Sequence, residues 1–423
     1  MDVTNGTTTA RCCIAGGGPA GMVLGYLLAR AGIDVIVLEK HADFLRDFRG
    51  DTVHPSTLQI FAELGLLDDF LQIPHQELRR IGGSIEGTPV TIADLRYVPT
   101  RCKFVALMPQ WDLLDFLAGR ARRYPNFRLL MRTQAIDLIE EGGRVAGVRA
   151  NTPDGDIAIR AELVVGADGR HSTVRARAGL EFRDFGAPID VLWMRLSKRR
   201  DERTQETFGY FLGGRLLVAI DRGDYFQCGF VIPKGGYDAL KRRGIEALRA
   251  DMAAVAPALR DRVAELKDWG DVSLLTVTID RLTRWYRPGL VCIGDAAHAM
   301  SPMGGVGINL AIQDAVAAAN ILAATLAGRG PVGEAPLAAI QRRREFPTKV
   351  TQALQVFAQE RIFAGVSMDV RPSPRRARLP FAVRLLRALP ILRAIPAYVI
   401  GVGVRPEHVH TGDARAAATR SGA

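Results

Sequence analysis

Arg11-Cys12-Cys13-Ile14-Ala15-Gly16-Gly17-Gly18-Pro19-Ala20-Gly21-Met22 is the stretch from which the fold is read. Its apolar run reads as a buried strand, the glycines as a tight loop, and Met22 to about Ala31 as a helix stopped by Gly32. A second apolar strand, Asp34 to Leu38, ends at Glu39. The two strands and the helix between them fit a parallel β-α-β unit. In that unit Gly16 permits the turn, Gly18 lets backbone approach a pyrophosphate, and Gly21 lets the helix close on the strand. Pro19 and Ala20 lie at the helix start, whose free N–H groups favour an anion. Glu39, with Lys40 beside it, stands where a ribose would be gripped.

Two further glycine–acid motifs follow apolar strands. Leu163-Val164-Val165 runs into Gly166-Ala167-Asp168-Gly169-Arg170-His171-Ser172-Thr173-Val174-Arg175. Taken alone, that Asp-Gly turn is as readily structural as functional. Leu290 to Ile293 runs into Gly294-Asp295-Ala296-Ala297-His298-Ala299-Met300-Ser301-Pro302, then Met303-Gly304-Gly305-Val306-Gly307-Ile308-Asn309 and a long Ala-rich helix. An acid at a strand's carboxyl end, such as Asp295, can accept from a ribityl hydroxyl. If what lies at the helix start is a flavin's pyrimidine edge, the dipole would favour its anionic reduced form by typically ~0.3–1 kcal/mol.

In this order the three motifs resemble those of the FAD-dependent group A aromatic hydroxylases, the single-component monooxygenases of the para-hydroxybenzoate hydroxylase type. The likeness runs from about Arg11 to Leu326. It implies an α/β fold: a Rossmann-like FAD-binding domain of discontinuous segments and a smaller α+β substrate domain on a mostly antiparallel sheet. The FAD segments would be 10–80, 106–185 and 281–370. The substrate segments would be 81–105 and 186–280, and 371–423 a basic helical extension and tail. By position, the resemblance places Gly16, Gly18, Pro19, Ala20 and Gly21 on the pyrophosphate, with Glu39 and Lys40 at the adenosine ribose. Arg49 and Gln110 would lie close to FAD. Asp168 and Gly169 belong to a motif tied in the family to both FAD and NAD(P)H. Asp295 would hold the ribityl chain, Gly305, Val306, Gly307, Ile308 and Asn309 would surround the ring, and Pro302 would lie near its reactive side.

The reaction implied is hydride transfer from NADH or NADPH to the flavin, oxygen addition at C4a, and transfer of the hydroperoxide's distal oxygen to an aromatic or polycyclic phenolic ring. The flavin carries the chemistry, so no side chain is assigned as catalytic; Pro302 and His298 are the weak candidates near the ring. His298 reads better as structural. Two alternatives stay open: a flavin-dependent oxidase or reductase of the same fold, including an isoprenoid-type reductase, and a non-catalytic FAD-fold binding protein. Halogenation is disfavoured because the Trp-x-Trp-x-Ile-Pro stretch of halogenases of this fold is missing; the matching strand reads Tyr225-Phe226-Gln227-Cys228-Gly229-Phe230-Val231-Ile232-Pro233.

Composition narrows the classes. At 423 residues, 48% hydrophobic and 24% charged, the chain is neither disordered nor a miniprotein. The formal net charge is +11, yet eight Arg and no Asp or Glu lie between Arg371 and Arg405. The excess therefore belongs to that segment rather than to a nucleic-acid-binding face. The histidines show no metal-ligand spacing, and the five cysteines suit neither zinc nor a disulfide framework. With a polar N-terminus carrying no apolar leader, the expected setting is a reducing cytoplasm. The expected partners are an aromatic small molecule and O2, with no nucleic acid.

The strands Val191–Leu196, Thr207–Leu212, Leu216–Asp221 and Tyr225–Ile232 read as antiparallel, and alternation allows Trp193, Arg195, Tyr225 and Gln227 one shared face. They serve equally well as core and edge residues. The basic segment 371–405 has two readings, a weak peripheral contact with anionic lipid or a helical pair packed on the FAD domain. Pro380, Pro390 and Pro396 shorten any amphipathic face and favour packing. Thr411–Ala423 is expected to be a disordered tail.

Overall fold

The computed structural model describes residues 7–45, 52–199, 202, 206–328, 330–363 and 379–416. Its larger sheet has eight strands. Leu290–Cys292, Gly155–Gly166, Thr7–Ala15, Val35–Leu38 and Phe127–Leu130 lie side by side and parallel. The hairpin Gln134–Glu141 and Arg144–Thr152 adds antiparallel to Gly155–Gly166, and Tyr286–Arg287 closes the far edge.

Both faces of the sheet are covered. Cys12, Ile14, Val35, Val37, Leu163 and Val165 pack under the helices Pro19–Arg30, Gln110–Ala121 and Gly307–Ala327. Cys13, Ile36, Leu38, Val164 and Cys292 point the other way, against Trp285 and the hairpin's Val145 and Val148. Burial on both sides is why these strands read as continuous apolar runs.

The smaller sheet has seven strands in the order Ser273–Leu275, Ile189–Ser197, Tyr225–Pro233, Arg215–Asp221, Glu206–Leu212, Arg80–Ile85, Thr88–Asp94. All its pairings are antiparallel except Glu206–Leu212 with Arg80–Ile85. One face packs on the helices Tyr237–Arg243 and Ile245–Val255 through Leu192, Met194, Leu217, Cys228 and Phe230. A three-stranded sheet of Thr52–Val53, Val105–Leu107 and Gln76–Leu78 forms a separate unit.

Several expectations need correction. The residue pattern from Tyr237 to Met252 predicts one helix; it breaks at Gly244, whose φ of +88° no helix accommodates. The apolar run Val272–Ile279 predicts one strand, but only Ser273–Leu275 forms it, and the chain then leaves so that Asp280–Leu282 pairs with Phe182–Asp184. The C-terminal segment does pack: its buried Ala397 and Val402 join Leu78, Ala93, Leu95 and Leu107 at the edge of the smaller sheet, and the Gln313 amide of the helix Gly307–Ala327 donates to the Val402 carbonyl. Residues 411–416 are docked rather than free: the Arg30 guanidinium donates to the Thr411 carbonyl at 2.7 Å, and Arg415 lies over the Tyr124 ring.

Candidate active site

The glycine loop sits at the one place where the chain order of the parallel strands reverses. From Thr7–Ala15 the chain first moves to Val35–Leu38 on one side and later returns as Gly155–Gly166 on the other. Ligands of open α/β sheets bind in the crevice outside such a switch point. Here the two crossovers touch: Gly16 has φ +113°, and a Cβ on it would stand 2.2 Å from the Ala167 carbonyl oxygen. A Cβ on Gly21 would stand 1.9 Å from the Gly16 oxygen, so the helix lies directly against the loop. Gly18 is different, since a Cβ there would meet nothing within 4 Å. Two glycines are thus required by packing, and the third faces open space at a helix N-terminus.

Glu39 follows its strand into the same crevice. Its carboxylate accepts from the Gly17 N–H at 3.2 Å and the His41 N–H at 3.0 Å. Lys40 beside it is exposed. Arg49 lies outside the described residues.

The second motif is a self-bonded turn. Asp168 accepts from the Ser172 hydroxyl and from the Val174 N–H at 3.1 Å, and Ser172 caps the short helix Thr173–Arg177 by accepting from the Arg175 N–H at 2.9 Å. Burial pushes the Asp168 carboxyl above the usual range, against the pull of those hydrogen bonds. Gly169, at φ +83°, turns the chain, and the Arg170 guanidinium reaches to 3.8 Å from the Asp295 carboxylate. The second and third motifs are therefore neighbours. Asp295 itself is partly exposed.

His298 is not at the surface of this crevice. Its Nε2 lies 2.6 Å from the Asp314 carboxylate, which also accepts from the Gly294 N–H at 3.0 Å and the Arg344 Nε at 2.9 Å. Burial pushes the Asp314 carboxyl up, but His298 and Arg344 outweigh it and hold it below the ordinary value. Arg344 continues to Glu407, tying the helix Glu334–Phe363 to the C-terminal segment. This places His298 in a buried scaffold network.

Pro302 lies in a loop held from one side by three glutamines that sequence reasoning did not single out. Gln352 Nε2 donates to the carbonyls of Asp280 and Ala299 at 2.7 and 2.8 Å, and Gln355 Nε2 to those of Ser301 and Met303 at 3.0 and 2.9 Å. Gln359 donates to the Ser301 hydroxyl oxygen. Positions 352, 355 and 359 share one face of a helix, and that face is buried. The one signal was this spacing of like amides in a helix otherwise rich in charge.

Past Pro302 the chain turns through Gly304 and Gly305, both at positive φ, into the helix Gly307–Ala327. Thr52 donates its hydroxyl to the Gly305 carbonyl at 2.9 Å, pinning the three-stranded unit to this loop. The Asn309 side chain is turned inward, accepting from the His54 N–H at 3.0 Å and the Thr57 hydroxyl at 2.7 Å. What Gly307, Ile308 and Asn309 can offer a ligand is their first-turn backbone N–H groups, which have no carbonyl one turn earlier in the helix. Val306 precedes them as the N-cap, and Gln110 opens its own helix two residues beyond Met108. His54 Nδ1 lies 2.7 Å from the Ile400 carbonyl, and burial lowers the imidazole pKa to about 4.

The uncovered face of the smaller sheet meets this loop. Trp193 packs with Leu216, Val231, Leu275 and Met303. Register pairs Trp193 with Gly229 and Arg195 with Gln227, so these side chains share a face, as alternation predicts. A Cβ on Gly229 would lie 3.0 Å from the indole, which therefore lies across that glycine. Tyr225 carries the Arg195 guanidinium 5.0 Å from its ring centroid. Tyr210 instead packs on the helix-covered face.

The crevice thus has open space at Gly18, carboxylates at the ends of two parallel strands, a helix start and an aromatic sheet face beyond it. These features fit FAD. No group of His, Cys, Asp and Glu that could hold a metal ion occurs among the described residues.

The FAD binding domain family matches residues 9–353, and the chain belongs to it. The 6-methylpretetramide 4-monooxygenase of Streptomyces rimosus is 36% identical over 85% of this chain and 86% of its own length. The dialkyldecalin synthase of Streptomyces rugosporus is 29% identical over 75% of this chain and 66% of its length. Among solved structures, an anhydrotetracycline hydroxylase from Streptomyces rimosus superposes with a TM-score of 0.71 at 25% identity, covering 93% of this chain and 76% of that one.

Proposed function

We propose that this member of the FAD binding domain family is a single-component monooxygenase that hydroxylates a polycyclic phenolic compound, with NADH or NADPH as electron donor and O2 as oxygen source. The observation that carries the reading is the meeting of three glycine–acid motifs at one switch-point crevice, facing an aromatic sheet surface across the Pro302 loop. The named activity of the 36% identical relative supports the oxygenation of a polycyclic ring.

When bound, FAD supplies the electron transfer and oxygen activation, and the protein supplies position, electrostatics and dryness. In this reading Gly16, Gly18, Pro19, Ala20 and Gly21 present backbone to the pyrophosphate, and Glu39 and Lys40 face the adenosine ribose. Asp295 accepts from the ribityl hydroxyls, Gly305 and Val306 lead the backbone past the ring, and the N–H groups of Gly307, Ile308 and Asn309 meet its electron-rich edge. Gln110 and Arg49 border the cofactor by family likeness, as do Asp168 and Gly169. The glutamine face of Glu334–Phe363 keeps the Pro302 loop in one place, and Trp193, Tyr225 and Gln227 line the substrate side. The larger sheet serves the cofactor and the smaller one the substrate. A reducing, cytoplasmic setting suits the five free, buried cysteines.

The relative named a dialkyldecalin synthase, whose name carries no oxygenation, favours one second reading, in which the same scaffold serves a reaction other than oxygenation. Anaerobic mixing with NADH or NADPH in a stopped-flow spectrophotometer separates the two. Flavin bleaching accelerated by a polycyclic phenol is the expected result. Bound flavin that neither nucleotide reduces, with any phenol present, refutes the monooxygenase.

A further inference from the structure

The helix Phe381–Ala388 is turned the wrong way for one that merely completes a globular core. At about 100° per residue, Phe381, Leu385, Ala388 and Leu389 fall within one arc, Arg384 and Arg387 flank it on one side, and the less exposed Val383 and Leu386 lie opposite. The apolar arc faces solvent: Phe381 is 76% exposed and Leu389 49%. The next turns repeat this, with Ile391 63% and Ile395 64% exposed. The segment is nonetheless anchored. Ala397 and Val402 are buried, the Arg393 Nε donates to the Leu386 carbonyl at 3.0 Å, and Gly401 approaches Leu95 and Pro55 too closely to accept a Cβ. Ile92 and Tyr97, exposed on the strand and turn beneath, extend the patch.

Scattered exposed apolar residues are ordinary, but a contiguous stretch of large ones on an anchored element marks a contact surface. Charge identifies the contact. Between Arg371 and Arg405 the sequence holds eight Arg and no Asp or Glu. A two-fold contact between copies would set this cation-only stretch against itself. An acidic protein surface would answer the arginines but leave Phe381, Ile391 and Ile395 against polar groups. A bilayer with anionic headgroups answers both, as for helices that lie in the interface plane with their basic residues at headgroup level.

We propose that residues 381–398 dock the protein on an anionic bilayer surface, Phe381, Leu385, Ile391 and Ile395 entering the headgroup–acyl boundary and Arg384, Arg387 and Arg393 meeting lipid phosphates. The lipid-packing and packing-on-protein readings of this segment are then both satisfied, by opposite sides of it. The proposal does not depend on which reaction the crevice performs.

The test is co-sedimentation of the flavin-loaded full chain with vesicles of phosphatidylcholine alone or mixed with phosphatidylglycerol. Three arginines near the surface should favour the mixed vesicles by on the order of a hundredfold at low salt, and added salt should release the protein. The triple variant Phe381→Ser, Ile391→Ser, Ile395→Ser alters only exposed side chains, and it should bind the mixed vesicles at least about tenfold more weakly with unchanged flavin content. Arg384→Gln with Arg387→Gln should reduce the preference for anionic lipid. No binding to the mixed vesicles overturns the proposal, and so does binding that the triple variant retains. Concentration-dependent self-association abolished by the triple variant also overturns it and assigns the face to a second copy.

Discussion

Alanine at Gly18 and alanine at Gly21 should separate two roles that one motif combines. At Gly21 the new methyl would lie 1.9 Å from the Gly16 carbonyl oxygen, where ordinary contact begins near 3.4 Å. The helix Pro19–Arg30 must then move about 1.5 Å off the strand, and overpacking of this kind costs about 1–3 kcal/mol. At Gly18 nothing lies within 4 Å, and φ −73° with ψ −177° suits any residue. Loss of the glycine N-cap should cost the apoprotein under about 1 kcal/mol. The methyl would instead occupy the opening where backbone meets pyrophosphate. We expect the FAD dissociation constant of Gly18→Ala to rise at least about tenfold, or ~1.4 kcal/mol. Thermal melts of the apoproteins and fluorescence titration with FAD read the two quantities separately. Gly18→Ala binding FAD like the parent would place the pyrophosphate elsewhere. Gly21→Ala melting like the parent would refute the tight helix–loop contact.

Other expectations concern the walls of the crevice. Gln355→Leu strips the buried Ser301 carbonyl and the partly buried Met303 carbonyl of their donor; at ~1–3 kcal/mol for the buried group it should destabilise by at least about 1–3 kcal/mol, and the loosened loop should raise peroxide release per NAD(P)H consumed. Unchanged coupling would show that the loop does not need the clamp. His54 is held to about 4, below the ordinary 6.5. The unfolded chain therefore binds the proton first, stability is complete above about pH 6.5, and roughly 3 kcal/mol is lost as pH falls toward 4. In His54→Gln that slope should vanish from denaturant titrations run across the same pH range. Gly229→Ala pushes on the indole of Trp193 and should weaken substrate binding while leaving FAD titration unchanged; an effect on FAD alone would contradict the assignment of that face.

What the sequence disclosed was largely local. The strand–glycine–helix–strand unit and the four strands from Ile189 to Pro233 were legible because their periodicity and turns, such as Gly213-Gly214, lie within short windows. Long-range pairing was not. Thr52–Val53 is too short to show a period and exists as a strand because Ala106 and Leu107 come to it. Within the third motif, His298 reads as structural from sequence, but its partner Asp314, which Arg344 also holds, lies too far along the chain to be named from it. Asn309 was read as facing the flavin, yet its side chain serves His54 and Thr57, leaving only backbone for that task. The glutamines of Glu334–Phe363 look like a solvated helix face because their partners are carbonyls from a loop some fifty residues earlier. The basic segment was weighed between lipid and protein as alternatives, whereas its two sides differ.

The central claim is that the crevice oxygenates a ring. Turnover with a polycyclic phenol, NAD(P)H and isotopically labelled O2, followed by mass spectrometry, tests it most directly. The account predicts one labelled oxygen atom in each product molecule and none from labelled water. Flavin that cycles while all the labelled oxygen leaves as peroxide, or a product altered without labelled oxygen, would contradict it.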